Sequence, residues 1–221
     1  MPDDMARTAA RILIETESVL FRPDDPFTFT SGRLSPVYVD CRRLISFVDA
    51  RRTLMSLMAE QIKQAVDIST VNAVAGGETA GIPFAAWIAE LLDVPMIYIR
   101  KKPKGFGRNA RIEGIVNEGD NILLIEDLAT DGGSKISFVD GIRDAGAECA
   151  HTFVVFHYGI FPEGIQGLKK AGVTLHGLAT WWDVLKCAEE EKYFDASTIE
   201  KVAAFLHAPD DWAPARTNAS G

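Results

Sequence analysis

The segment ILLIEDLATDGGSK, residues 122–135, holds the densest set of groups able to bind a phosphorylated sugar. An apolar run ends in two carboxylates, Glu126 and Asp127. Thr130, Asp131, Gly132 and Gly133 follow, before a helix that begins near Ser134. Glycine adopts backbone angles that other residues resist, so Gly132 and Gly133 let successive N–H groups converge on an anion at the positive end of the new helix. Thr130 and Ser134 add hydroxyl donors. Carboxylates are poor phosphate ligands, so the two acids call for another partner: a sugar diol, whose hydroxyls donate to them, or a metal ion. A phosphate cradle beside a diol reader suits a ribose 5-phosphate. An ordinary strand-to-helix turn with solvated acids is the competing account, but it does not require the whole string. The string lacks the Gly-Lys-Ser/Thr of nucleotide-triphosphate loops and the Gly-X-Gly-X-X-Gly of dinucleotide folds, which argues against kinase and dehydrogenase chemistry.

Two further stretches carry candidate groups. RKKPKGFGRNARIEG, residues 100–114, concentrates Arg100, Lys101, Lys102, Lys104, Arg108 and Arg111 in a Gly-containing loop of an otherwise acidic protein. Such a loop is either a solvated surface feature or, placed after the apolar run PMIYIR, a cationic cover that offsets charge growing on a departing pyrophosphate. The turn GGETAGIP, residues 76–83, has Gly76, Gly77 and Gly81, which either shape the turn or admit a ligand to the backbone.

Positioning these loops requires a layered α/β fold. Apolar residues from Met5 to Leu20 recur at helical spacing, which predicts a helix over about 4–20 with Asp3 or Asp4 as its cap. FTFT and VYVD, separated by SGRLSP, predict a small hairpin-like flap. From Asp49 a helix leads into alternating apolar strands and helices, which calls for a mostly parallel central sheet covered on both faces. Ligands of such sheets sit beyond the carboxyl ends of the strands, so chemistry is sought after Ala75, Arg100 and Glu126. A helix over about 197–206 precedes APDDWAPARTNASG. The resulting division is 1–48 as an N-terminal helix and flap, 49–207 as the core and 208–221 as a flexible tail.

Bulk properties bound the alternatives. At 221 residues one large domain is expected. The 23 Lys and Arg against 31 Asp and Glu leave a net charge of -8, which disfavours a broad nucleic-acid-binding face. Cys41, Cys149 and Cys187 fit neither a disulfide framework nor zinc spacing and read as reduced thiols in the cytoplasm. The acidic start lacks a signal-peptide pattern, and no apolar run reaches the roughly 20 residues of a membrane span. His151, His176 and His207 show no ligand or triad spacing, and Trp181 and Trp182 read as packing.

The strand-acid-acid-Thr-Gly string resembles the phosphoribosyl pyrophosphate (PRPP) motif of the type I phosphoribosyltransferases. That resemblance implies that Glu126 and Asp127 contact the ribose hydroxyls and that Ala129, Thr130, Asp131, Gly132, Gly133 and Ser134 form the 5-phosphate loop. GGETAGIP resembles the family's pyrophosphate loop, implying roles for Gly76, Gly77, Glu78 and Thr79 and a cis peptide between the last two. FTFTSGRLSPVYVD resembles, through Ser31, Gly32, Ser35, Pro36 and Tyr38, the segment over the base pocket of orotate phosphoribosyltransferases. By that resemblance Tyr38 and Val39 meet the base, while Arg100, Lys101 and Lys104 occupy the basic positions of the mobile loop. It implies Lys104, Asp127 and Arg100 as catalytic groups and orotate as the acceptor. Orotidine 5-monophosphate and pyrophosphate would be the products. It further implies Mg2+ held mainly by substrate oxygens, with no protein metal cluster, and a homodimer that shares the basic loop. The sequence departs from the family at Phe106, where a His is usual, at Thr30, where many members have Lys, and at His157, where an Arg is usual. Arg33, Arg42, Arg43 or His157 are the substitutes for the cation facing a base carboxylate. A phosphoribosyltransferase for another base, or a PRPP-sensing regulator, are the alternatives.

Overall fold

The computed structural model describes residues 2–28, 32, 34–103, 111–130 and 132–212. In chain order, α1 (Pro2–Glu15) is followed by the short strands β1 (Val19–Phe21), β2 (Phe27–Thr28), β3 (Leu34–Ser35) and β4 (Val37–Val39). Then come α2 (Val48–Ala65), β5 (Ala73–Gly77), α3 (Gly81–Leu92), β6 (Met96–Ile99) and β7 (Ile112–Glu113). β8 (Ile122–Ala129), α4 (Gly133–Asp144), β9 (His151–His157), α5 (Pro162–Lys170), β10 (Thr174–Thr180), α6 (Trp181–Glu190) and α7 (Ala196–His207) complete the order.

Two compact units result. Met1–Phe47 group with Ala179–Gly221, and Val48–Leu178 form the other unit. The C-terminal helices, assigned to the core from sequence, therefore fall with the N-terminal segment. Within that first unit, α1 buries Ala9, Ala10, Leu13 and Ile14. It stops at Glu15 because Glu17 turns left-handed at φ 52, so Val19 and Leu20 continue as a strand rather than as the predicted helix. The flap also differs from the predicted pairing. β1 pairs antiparallel with β4, and β2 pairs antiparallel with β3 inside it, so VYV is matched to VLF and not to FTFT. Residues 209–212 extend the chain by a helical turn that sets Trp212 edge-on to Phe205 at 5.4 Å, which shortens the expected tail.

The second unit carries a six-stranded sheet of order β10-β9-β8-β5-β6-β7. β5 is parallel to β6 and β8, β8 is parallel to β9, and the short β7 returns antiparallel to β6. Side chains alternate across the sheet. Ala73, Ala75, Ile122 and Leu124 join Phe138, Val139 and Ile142 of α4 in one core. Val74, Leu123 and Ile125, which lie on the other face of β5 and β8, are likewise fully buried, as are Phe84 and Ile88 of α3. Both faces are covered, which is why these strands are continuously apolar.

The strand order sets the position of the site. From β5 the chain moves through α3 to β6 on one side, then returns as β8 on the other side and proceeds outward through β9 to β10. The reversal lies between β5 and β8. In open α/β sheets a crevice forms at that reversal, beyond the carboxyl ends of the strands.

Candidate active site

The turn after β5 is tighter than the sequence reading supposed. Gly76 and Gly77 are the last residues of the strand, in register with Tyr98 and Ile99, and the turn proper is 78–80. The glycines are needed for packing rather than for turn geometry. A Cβ on Gly76 would lie 2.8 Å from the Gly81 carbonyl oxygen and from Ile82 Cα. One on Gly77 would overlap the Glu126 carboxylate and the Phe138 ring, and one on Gly81 would overlap the same carboxylate. The Glu78–Thr79 peptide is cis, as the resemblance implied. Thr79 is exposed, and the Glu78 carboxylate accepts from the Lys101 main-chain N–H at 2.8 Å, tying this turn to the start of the basic loop.

At the end of β8, Glu126 and Asp127 are both buried, and strand alternation directs them to opposite faces. Glu126 follows Ile122 and Leu124 onto the α4 face. There its Oε2 accepts from Lys135 Nζ at 2.8 Å, with the two side chains only 6% and 7% exposed. The ammonium also reaches Ser134 Oγ at 3.3 Å. Burial pushes the Glu126 carboxyl above its ordinary range, and the Lys135 charge works against that shift. Ala129 is buried within β8 and its carbonyl accepts from Tyr158 N–H, so the loop is shorter than predicted. Thr130 is exposed at the strand end, and Asp131 lies outside the described residues.

Gly132 caps α4 in the left-handed region, at φ 77. Its Cβ position lies 3.1 Å from both the Gly164 carbonyl oxygen and Leu168, so close packing and backbone angle both select glycine. Without a cap side chain over the first turn, the helix N-terminus at Gly133 and Ser134 is the kind that receives an anion on main-chain N–H groups. Gly133 and Ser134 are exposed.

The basic loop is an excursion between β6 and β7, a pairing the sequence reading lacked. Its ends are clamped: Arg100 N–H donates to the Arg111 carbonyl at 2.7 Å, and Arg111 Nε donates to the Arg100 carbonyl at 3.0 Å. Arg100 Nη1 pairs with Glu113 at 3.4 Å, whereas Lys101 and Lys102 are exposed. Lys104, Phe106 and Arg108 lie outside the described residues, as do Thr30, Ser31 and Arg33. Tyr38 and Val39 belong to β4 of the other unit, where Tyr38 is half-buried 5.2 Å from the Phe27 ring and Val39 is buried.

Of the cations offered to a base carboxylate, Arg42 is held by Asp40 at 2.6 Å and Arg43 by Glu17 at 3.4 Å. His157 ends β9 beside Ala129 and lines a groove of about 410 Å³ with Ile165, Leu168 and Lys169, and burial lowers its pKa. Among the described residues no group of three or more His, Cys, Asp or Glu side chains gathers into a metal-ligand set. No helix among them is long and apolar enough to cross a membrane.

Lys135 is the site residue that sequence reading missed. The signal was present: Lys135, Phe138, Val139 and Ile142 share one helical stripe, and a charge on an apolar stripe implies a buried partner.

Comparison with known proteins agrees with this geometry. Residues 49–211 match the phosphoribosyl transferase domain family. The chain is 58% identical over 214 residues to an orotate phosphoribosyltransferase of Cereibacter sphaeroides, covering 97% of this chain and 92% of that protein. It is 54% identical to one of Roseobacter denitrificans, covering 95% and 93%. Among solved structures, the orotate phosphoribosyltransferase of Aeropyrum pernix superposes with a TM-score of 0.70 at 29% identity, over 84% of this chain and 99% of that one. With the family model matched over residues 49–211 and these relatives matched along nearly its whole length, the chain belongs to the phosphoribosyltransferase family and, within it, to the orotate phosphoribosyltransferases.

Proposed function

We propose that this protein transfers the phosphoribosyl group of PRPP to orotate, releasing pyrophosphate and forming orotidine 5-monophosphate for pyrimidine synthesis. The observation that carries the reading is the placement of the two motif turns, after β5 and after β8, on either side of the sheet reversal. A solved Mycobacterium tuberculosis orotate phosphoribosyltransferase of the same fold is described in complex with PRPP, with a TM-score of 0.62 over 80% of this chain.

In this reading the first turn of α4, with Thr130 and Ser134, receives the 5-phosphate, and Asp127 with Glu126 accepts hydrogen bonds from the ribose hydroxyls. The turn at 78–80 takes the pyrophosphate. Arg100, Lys101 and Lys104 offset the charge that develops as the bond to the sugar loosens ahead of attack by the base. The protein thus contributes position and charge more than covalent chemistry. The hard oxygen donors of the site suit Mg2+: Asp127 is the side chain that would hold it from the protein, the substrate would supply most ligands, and the ion would add positive charge at the pyrophosphate.

The reading extends to a homodimer that shares the basic loop, which sedimentation measures. It also extends to a cytoplasmic location, which is supported by Cys41, Cys149 and Cys187 being buried thiols outside any disulfide. The deciding experiment measures pyrophosphate release from PRPP with a panel of bases. Turnover with orotate is expected; turnover with guanine or uracil and none with orotate overturns the assignment.

A further inference from the structure

The peptide group between Arg100 and Lys101 is held by side chains on both of its polar atoms. The Lys101 N–H donates to Glu78 Oε2 at 2.8 Å, and the Arg100 carbonyl accepts from Arg111 Nε at 3.0 Å. A carboxylate at the donor end and a guanidinium at the acceptor end match the peptide dipole, and hydrogen bonds to charged groups are the stronger kind. Both holders are themselves fixed. The Glu78 N–H donates to the Ile99 carbonyl at 2.8 Å, which stitches the turn at 78–80 to the end of β6. Arg111 Nη2 donates to Ser137 Oγ of α4 at 3.2 Å. One helical turn further on, a Cβ at Gly141 would lie 3.3 Å from Arg111 Cζ. Glycine is unfavourable inside a helix, and here it leaves room for the guanidinium. The charge of Glu78 needs its own account, because a free carboxylate in a turn that takes pyrophosphate would repel it. Engaged on the Lys101 N–H, the carboxylate instead fixes a residue that carries an offsetting cation.

We propose that Glu78 and Arg111 are positioning residues for phosphoribosyl transfer: together they clamp the Arg100–Lys101 peptide, so that the Lys101 side chain starts beside the pyrophosphate turn. Each side chain acts through Lys101 rather than on the substrate. A cation already in place offsets charge on a departing group at no further cost in conformational freedom. This rests on the reading of the turn at 78–80 as the pyrophosphate site.

The test compares Glu78→Ala, Glu78→Gln, Arg111→Met and the double variant Glu78→Ala/Arg111→Met with the unaltered protein. Steady-state assays give kcat and the KM values for PRPP and orotate, and amide hydrogen exchange at Lys101, read without substrate, reports the clamp itself. Glu78→Ala releases about one residue of backbone, so Lys101 exchange and KM for PRPP are each expected to rise about tenfold, with KM for orotate within about twofold. Glutamine keeps an acceptor oxygen and should bring both back to within about threefold of the unaltered protein. The double variant should lose less than the product of the two single losses, because both ties hold one peptide. An unchanged KM for PRPP in Glu78→Ala overturns the proposal, since the clamp would then be structural only. Equal losses in Glu78→Ala and Glu78→Gln overturn it by making the carboxylate itself a ligand, and equal gains overturn it by making Glu78 act through charge. Should Glu78→Ala fail to fold, Arg111→Met decides on the same two readings: a rise of about tenfold supports the clamp, and no change overturns it. PRPP failing to bind the unaltered protein would sink the pocket reading and this proposal with it, whereas the Lys101 exchange, read without substrate, tells the two failures apart.

Discussion

Replacing Gly81 by alanine sets two effects of opposite sign against each other. Gly81 opens α3, and alanine in a helix is favoured over glycine by about 1 kcal/mol. Against this, the new Cβ would sit 2.7 Å from the Ile125 carbonyl oxygen and would overlap the Glu126 carboxylate. Ile125 is paired in register with Gly76 in the middle of the sheet, so its carbonyl has little freedom to yield. The remaining relief is to push Glu126 off Lys135. Overpacking alone costs about 1–3 kcal/mol, and disturbing a buried ion pair adds to that. The clash wins, with a net loss of about 2 kcal/mol or more. In a chain of this length that corresponds to a drop in Tm of roughly 4–8 °C. Gly167→Ala in α5 is the matched control. Its Cβ meets only Ile136 Cδ1 at 3.4 Å, an ordinary contact, so the helical gain should survive as a rise of about 2–4 °C. Thermal and urea unfolding of the two variants give the answer. Gly81→Ala melting at or above the unaltered protein would refute the reasoning, because helix propensity would then have outweighed the packing of Glu126.

Asp127→Asn should lower kcat/KM for PRPP by about a hundredfold while keeping a cooperative melt, and Lys104→Ala should lower kcat by about tenfold with little change in base binding. Steady-state kinetics beside thermal melts checks both, and full activity in the pair removes the site assignment. His176→Phe tests an acid sensitivity built into the sheet edge, where His176 stacks on Phe153 at 4.3 Å and its Nε2 lies 3.0 Å from His151 Nδ1. Burial, and secondarily His151, lower the His176 pKa. Above about pH 6.5 neither folded nor unfolded chain gains a proton there, whereas below it the unfolded state takes one that the folded state resists, and stability is lost. Phenylalanine keeps the stack without the proton, so the drop in Tm from neutral pH to about pH 5 should shrink. His157, also lowered by burial, leaves a residual drop. An undiminished drop would discount the His176 contribution.

Much of the scaffold was legible because its patterns are local. The period of α2 and α3, the apolar runs of β5, β6, β8 and β9, and the Thr-X-Gly-Gly turn all sit within a few residues of one another, and a parallel sheet follows from their alternation. The limits of α1 were misread because helix and strand share apolar residues at Val19 and Leu20. Only the left-handed turn at Glu17 separates them. The pairing of β1 with β4 and the return of β7 beside β6 depend on contacts between segments that carry no mutual mark in the chain.

The site divides along the same line. Residue order alone established which groups could hold a phosphate and a sugar: the strand-end acids, the paired glycines, the hydroxyls and the cationic stretch are chemical types at short spacing. Tertiary structure decided what each is free to do. Lys135 lies nine positions from Glu126 and Gly81 lies 45 from it, yet the three meet, because the sheet reversal brings the ends of β5 and β8 together and turns α3 and α4 onto opposite faces. A carboxylate's partner depends on distance and burial in space, and those are set only when the layers close.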